Sequence, residues 1–318
     1  MNAPMTAFLF PGQGSQTTGM GKDLASNYPV ARQTFQEADD ALGFSISQLC
    51  FEGPDEQLKM TEITQPAILT VSTAICRVLK EKGIVPQYVA GHSLGEYSAH
   101  VAAGTMAFAD AVRTVRNRGQ YMQEAVPAGV GAMAAILALP LEQVLEACSE
   151  AAQGEIVSPA NMNSPDQIVI SGAKAAVERA AELCKQRGAK RAMLLAVSAP
   201  FHCALMQPAQ DRLAADLKGL AMNDPAAPVI ANFDAELKTT AQSSREALIS
   251  QVTGAVEWTR SMQKLMALGA NTFVEAGPGK VLCGLLRQID RSQNCMIAGN
   301  VDSLQQTVAA FSAGGSRV

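Results

Sequence analysis

Val89-Ala90-Gly91-His92-Ser93-Leu94-Gly95-Glu96-Tyr97 is the stretch from which this chain is read. An apolar run over residues 88–91 stops at a serine bracketed by two glycines, and residues 94–103 then carry the spacing of a helix. G-x-S-x-G with a strand before it and a helix after it is a nucleophile elbow. The chain turns within a couple of residues, the serine is held strained and exposed, and Gly91 and Gly95 supply the room. At the helix N-terminus Ser93 also meets unpaired backbone N–H groups and the positive end of the helix dipole, roughly half a charge, which favour a developing oxyanion. In a chain with 25 glycines the five-residue pattern alone arises easily by chance; the strand-to-helix context gives it weight.

A serine nucleophile needs a base, and the chain has three histidines. His92 precedes Ser93, so its side chain points to the other side of the strand end, and it reads as a supporting residue. His100 follows Ser93 by about two helical turns, roughly 10 Å along the axis, and is out of reach. His202, in Val197-Ser198-Ala199-Pro200-Phe201-His202, follows another apolar run where a strand ends in a loop, and is the candidate base. The competing reading is a core histidine satisfied by backbone carbonyls. Cys203 beside it reads as a small buried hydrophobe, not a thiol nucleophile.

Residues 6–10 read as a short buried strand and Pro11-Gly12-Gln13-Gly14-Ser15-Gln16 as the loop leaving it. The glycines let backbone N–H groups approach a ligand closely. The N–H of Leu94, just after the nucleophile, is one candidate oxyanion donor and the N–H of Gln13 the second. A phosphate-binding glycine turn competes with this reading, but no G-x-x-x-x-G-K-[ST] is present.

Composition sets the frame: 318 residues, 48% hydrophobic and 17% charged, suffice for a large core. A net charge of −4 without a basic arm argues against nucleic acid as a partner. Lys22 is the first cation and Pro11-Gly12 breaks the first apolar run, so no secretory signal is expected. A long internal stretch free of Asp, Glu, Lys and Arg, residues 192–210, contains Pro200, His202 and Pro208 and does not read as a membrane span. Seven cysteines without C-x-x-C or metal-like pairing with histidine suit buried thiols in a reducing compartment, so a cytoplasmic location and no metal are expected. The expected oligomeric state is a monomer.

Periodicity predicts helices over 29–42, 65–82 and 108–125; in the second, Ile68, Val71, Ile75 and Val78 recur at spacings of three and four. On the third, Arg113 and Arg116 read as a solvated face. The pattern then changes to strand 132–139, helix 141–153, strands 156–162 and 167–171, helix 173–187 and strand 190–197, the β-α-β-β-α-β order of a ferredoxin-like unit. Asn161 and Asn163 are expected to cap the turn between its middle strands rather than face a cleft. Beyond His202 come helix 204–220, strand 228–233, helices around 244–252 and 257–268, strand 272–275, helix 281–289, strand 296–298 and a last helix. Alternation of this kind means an α/β fold with a mainly parallel sheet flanked by helices. The expected division is a large subdomain of residues 1–128 and 199–318, interrupted by a small ferredoxin-like subdomain of residues 129–198, with the site in the cleft between them.

Five segments together carry a resemblance: Phe10-Pro11-Gly12-Gln13-Gly14-Ser15-Gln16, Gly91-His92-Ser93-Leu94-Gly95-Glu96-Tyr97, Arg118-Gly119-Gln120-Tyr121-Met122, Pro200-Phe201-His202 and Glu275-Ala276-Gly277-Pro278-Gly279-Lys280. In this order, from about residue 6 to about residue 300, they resemble the malonyl-CoA:acyl carrier protein transacylases of fatty-acid synthesis. The resemblance implies a hydrolase-like acyltransferase core, the same two oxyanion donors, and a guanidinium at Arg118 that pairs with the free carboxylate of a malonyl group. It also implies that Gln251, ahead of Val256-Glu257-Trp258, offers a carbonyl that orients the histidine. Gly254 stands where the family pattern has a proline, and Phe201 where it has a small polar residue.

On this reading His202 takes the proton of Ser93, Ser93 attacks the thioester of malonyl-CoA, and the phosphopantetheine thiol of an acyl carrier protein then takes the malonyl group, for fatty-acid or polyketide chain elongation. No acidic third member is evident, so a Ser-His pair steadied by a carbonyl is expected. No cofactor is implied, since CoA enters as the substrate's thioester. Two other classes use parts of the same pattern: a serine hydrolase of thioesterase or patatin-like type, which has no use for Arg118, and a scaffold that only binds carrier protein.

Overall fold

The computed structural model describes residues 5–315. The chain begins with β1 (Thr6–Phe10), α1 (Lys22–Asn27), α2 (Pro29–Leu42), α3 (Ile46–Glu52), α4 (Asp55–Leu58), α5 (Thr61–Glu81), β2 (Tyr88–Gly91), α6 (Leu94–Ala102) and α7 (Phe108–Glu124). A second unit follows: β3 (Gly131–Leu137), α8 (Leu141–Ala152), β4 (Val157–Ser164), β5 (Gln167–Ala173), α9 (Lys174–Gln186) and β6 (Arg191–Leu194). The chain then continues through α10 (Gln207–Gly219), β7 (Val229–Ile230), β8 (Leu237–Lys238), α11 (Ala241–Ser250), α12 (Trp258–Ala267), β9 (Thr272–Ala276), α13 (Val281–Ile289), β10 (Asn294–Ala298) and α14 (Val301–Gly315).

The larger sheet has the order β10-β9-β1-β2-β7-β8, parallel except for β8, which runs back along β7. Its central strands read as continuous apolar runs because both faces are covered. Alternate side chains of β1 serve two cores: Phe8 and Phe10 join α5, α6 and α7 on one face, while Ala7 and Leu9 join Trp258 and Met262 of α12 and Leu285 of α13 on the other. Helix α5 starts at Thr61, four residues before the periodicity suggested, and carries Pro66 inside it. Short helices α1, α3 and α4 were not legible in the sequence.

The smaller sheet has the order β4-β5-β3-β6 and is antiparallel throughout, which is the strand arrangement of a ferredoxin-like unit. Ala134, Ile136, Ile168 and Ile170 pack on one face against Val144 and Ala147 of α8 and Val177 and Ala180 of α9. Two backbone bonds tie this unit to the rest of the chain: Met162 N–H donates to Val256 O (2.9 Å) and Val256 N–H to Ala160 O (2.8 Å).

Two expected strands are shorter than read. β6 stops at Leu194 because the chain peels away after the Leu195 N–H bonds Met133 O, on its way to His202. β7 keeps two residues because the chain turns at once, Ala231 N–H bonding Glu236 O, which frees Asn232 for another task. The cysteines also depart from expectation. Cys283 on α13 and Cys295 on β10 form a disulfide, with Cα atoms 5.5 Å apart, while Cys50, Cys76, Cys148, Cys184 and Cys203 are free. Among the described residues, no helix is long and apolar enough to cross a membrane.

Candidate active site

β2 delivers the chain to Ser93, and α6 starts one residue later. Ser93 has φ 50° and ψ −104°, a conformation that L-residues avoid, so the elbow is strained at its serine. The glycines on either side are required by close approach: a Cβ on Gly91 would lie 2.0 Å from the carbonyl of Gly95, and one on Gly95 would lie 2.0 Å from the carbonyl of Phe10 at the end of β1. The backbone of Gly12 presses on the His92 carbonyl in the same way, its Cβ position lying 2.4 Å from that oxygen.

His202 reaches Ser93 from the loop after β6, its own φ of 59° turning the ring inward. Its Nε2 lies 2.7 Å from Ser93 Oγ, while Nδ1 lies 3.0 Å from the carbonyl of Gln251 and 3.1 Å from that of Gly254. Two acceptors on Nδ1 require a proton there, so Nε2 is the free lone pair and the serine hydroxyl donates to it. Burial first, then the Arg118 charge, pushes the His202 pKa down to about 3, so the ring is neutral at physiological pH. His100, the excluded histidine, is buried with both ring nitrogens unpartnered and does not reach the site. Cys203 is buried, its Sγ against Pro200 O.

Arg118 is only 2% exposed, unlike Arg113, which pairs with Asp110 in solvent on the same helix. Its Nη1 donates to Gln65 Oε1 (2.8 Å) and its Nη2 to Gln251 Oε1 (2.9 Å) and Ser93 Oγ (3.1 Å), with the guanidinium 5.4 Å from the centre of the Tyr97 ring. No carboxylate lies within bonding distance among the described residues, and burial lowers the Arg118 pKa from its ordinary value. A buried cation placed so, beside a serine hydroxyl, has the chemistry to pair with an anionic group.

A cavity of about 320 Å³ opens over Ser93, lined by His202, Arg118, Gln13 and Leu94, with Asn161 and Val197 from the ferredoxin-like side. The amide N–H groups of Gln13 and Leu94 have no acceptor among the described residues. His92 lines the cavity too, where its place before Ser93 suggested that it points to the other side; its Nε2 lies 2.8 Å from Asn163 Oδ1 and its ring packs at 5.5 Å on Trp258, which hold it there. Asn161 and Asn163 thus face inward, contrary to the expectation that they cap the turn, because both lie within the longer β4.

Three further residues were missed in the sequence. Asn232 receives the Ser93 N–H on its Oδ1 (2.6 Å) and donates to Gly91 O (2.7 Å), clasping the elbow from below. Gln65 anchors Arg118 from α5. Glu96, on the first turn of α6, is wholly buried beneath them. No local signal marks the first two, since their contacts are 139 and 53 residues away in sequence.

The acyl transferase domain family matches residues 7–314. The chain is 52% identical over 284 residues to the malonyl CoA-acyl carrier protein transacylase of Escherichia coli K12, covering 89% of this chain and 92% of that protein. The chain belongs to the malonyl-CoA:acyl carrier protein transacylase family. Among solved structures, an acyl carrier protein S-malonyltransferase from Vibrio cholerae superposes with a TM-score of 0.94 at 50% identity, covering 95% of this chain and 99% of that one. A malonyl-transacylase solved in complex with a type II PKS acyl-carrier protein gives a TM-score of 0.94 at 48% identity, with 96% and 99% covered.

Set in this transacylase family, the two departures noted in the sequence acquire a physical setting. Gly254 gives one of the two carbonyls held by His202, and its backbone N–H bonds Ser250 O (3.0 Å), a bond that a proline could not make. A Cβ at 254 would meet the Phe233 ring at 2.5 Å. Phe201 is half-buried beside the cavity and packs against the cluster of Met133, Ala135, Ala160 and Val169 under the small sheet.

Proposed function

We propose that this transacylase-family member moves a malonyl group from malonyl-CoA to the phosphopantetheine thiol of an acyl carrier protein, through a malonyl ester on Ser93. The observation that carries the reading is one serine oxygen with two partners. Ser93 Oγ sits 2.7 Å from the unprotonated nitrogen of His202 and 3.1 Å from a buried guanidinium. His202 Nε2 accepts the hydroxyl proton as Oγ bonds to the thioester carbon, and the carbonyl electrons pass to an oxyanion that the Leu94 and Gln13 N–H groups stabilise. Collapse of the intermediate breaks the C–S bond, and the departing CoA sulfur takes the proton from His202. The carrier-protein thiol then repeats the steps in reverse order, leaving Ser93 free.

Arg118 gives the malonyl carboxylate a charge partner inside the protein, where acetyl finds none. The Gln251 and Gly254 carbonyls stand where a triad would place a carboxylate, and they fix the tautomer of His202 without adding a charge. In this reading residues 1–128 and 199–318 form the catalytic subdomain, residues 129–198 form the wall over the cleft, and the protein acts as a cytoplasmic monomer without nucleic-acid or membrane partners. The test is labelled malonyl-CoA with and without holo acyl carrier protein. Label is expected to pass to the carrier protein, with little free malonate; rapid release of malonate regardless of carrier would make the protein a thioesterase and overturn the reading.

A further inference from the structure

Glu96 takes part in none of these steps, yet it is a carboxylate at 0% exposure three residues from the nucleophile. Its Oε2 accepts the main-chain N–H of Asn232 (2.9 Å) and the Nε2 of Gln251 (2.8 Å). Its Oε1 has no hydrogen-bond partner and lies 4.0 Å from Nε2 of His100. Burial keeps that histidine neutral, its pKa pushed down to about 3, so the contact is not an ion pair.

The Gln251 amide spends both its hydrogens, one on Glu96 Oε2 and one on Ser93 O (2.9 Å). Its oxygen is therefore obliged to face Arg118 Nη2. The two orientations of an amide have nearly the same shape, so without Glu96 only the Ser93 carbonyl and Arg118 itself select between them, and the flipped one sets N–H against guanidinium N–H. The second group held by Glu96, Asn232, bonds both Ser93 N and Gly91 O. One carboxylate thus holds the two residues that hold the elbow and the cation.

We propose that Glu96 is a positioning residue for acyl transfer, setting the Gln251 amide and Asn232, and through them Arg118 and Ser93, while serving as the resting countercharge of Arg118. The inference rests on the reading of Ser93, His202 and Arg118 given above. The titratable groups facing Glu96 are His100 and Tyr97 on its own helix, Arg118 from α7, and Asp234 from the turn after β7. Burial raises the Glu96 pKa to about 7, against the lowering effect of its two hydrogen bonds and Arg118. A malonyl carboxylate on Arg118 brings a second negative charge nearby and raises that pKa further. Malonyl binding then takes up a proton, and its affinity weakens as pH rises through about 7. Acetyl, uncharged, has no such dependence.

The experiment compares wild type, Glu96→Gln and Glu96→Ala for the rate of Ser93 acylation and for KM, with malonyl-CoA and acetyl-CoA, on both sides of neutral pH. Glu96→Gln retains an acceptor, so its acylation rate should stay within about tenfold of wild type. Its malonyl KM should lose the rise with pH that wild type shows. Glu96→Ala, checked for a native circular dichroism spectrum, should slow acylation by both thioesters by roughly 10²-fold, as small misplacements of reacting groups do. Wild-type acylation by folded Glu96→Ala, or an unaltered pH dependence of malonyl KM in Glu96→Gln, would overturn the inference. If Glu96→Ala does not fold, the pH dependence in Glu96→Gln decides it. A wild type that forms no acyl-enzyme would instead overturn the underlying reading of the elbow.

Discussion

Replacing Arg118 with alanine removes the cation that bonds Ser93 Oγ, and the structure sets the size of the effect. The guanidinium is 2% exposed, so water cannot stand in for it. A malonyl carboxylate entering the mutant is desolvated and meets the oxygens of Gln65 and Gln251, which have lost their donor. Truncating one partner of a buried charge pair costs about 2 to 5 kcal/mol, which is about 30-fold to several thousand-fold in kcat/KM. Acetyl-CoA lacks the carboxylate and should lose far less. Arg118→Lys should fall between, because a point charge on a flexible stem cannot reach Gln65, Gln251 and the substrate together. The side effects have a sign as well: Arg118 lowers the His202 pKa, so in Arg118→Ala the acid limb of the rate profile should move to higher pH. The assay is the ratio of kcat/KM for malonyl-CoA over acetyl-CoA in the three proteins. A ratio that stays constant would refute the reasoning and leave Arg118 a structural cation.

The histidines separate by role: His202→Ala should lower acylation by several orders of magnitude, approaching the 10⁶-fold of other serine enzymes, whereas His100→Met should keep turnover within a few-fold; equal losses would contradict the distances. His100→Met should also improve acid tolerance. His100 has a folded pKa of about 3 against an ordinary 6.5, so below 6.5 the unfolded chain takes up a proton that the fold refuses. Stability is lost as pH falls, by about 1.4 kcal/mol per pH unit for this group; denaturant melts of mutant and wild type at pH 6.5 and two units below should differ in their loss by roughly 2 to 3 kcal/mol, and parallel losses would refute it. Gly95→Ala places a Cβ 2.0 Å from Phe10 O and should destabilise by roughly 3 kcal/mol or more in the same melts; a wild-type melt would show that the elbow does not need the gap.

Local pattern carried much of this architecture. β1, α2, β2 and α13 lie where their apolar spacing and flanking glycines put them, and the G-x-S-x-G context placed Ser93 at the turn from β2 into α6. His202 was reachable by elimination, since three histidines leave few choices. Glu96 was not legible in its role, because an acid in the first turn of a helix ordinarily reads as a solvated partner of the dipole. Its burial follows from α6 lying against β1 and β2, a tertiary fact. Asn232 looked like one more residue of a strand; only the tight turn after β7 sends its side chain to the elbow. The cysteine pair was hidden similarly, as the packing of α13 on β10, not a spacing motif, brings Cys283 to Cys295.

The central claim is a malonyl ester on Ser93, and peptide mapping by mass spectrometry tests it directly. Wild type mixed with malonyl-CoA and quenched in acid should carry one malonyl group on the peptide containing Ser93, and added holo acyl carrier protein should discharge it. Ser93→Ala should carry none. A malonyl group that persists in Ser93→Ala, or that maps to Cys203 instead, would contradict the mechanism.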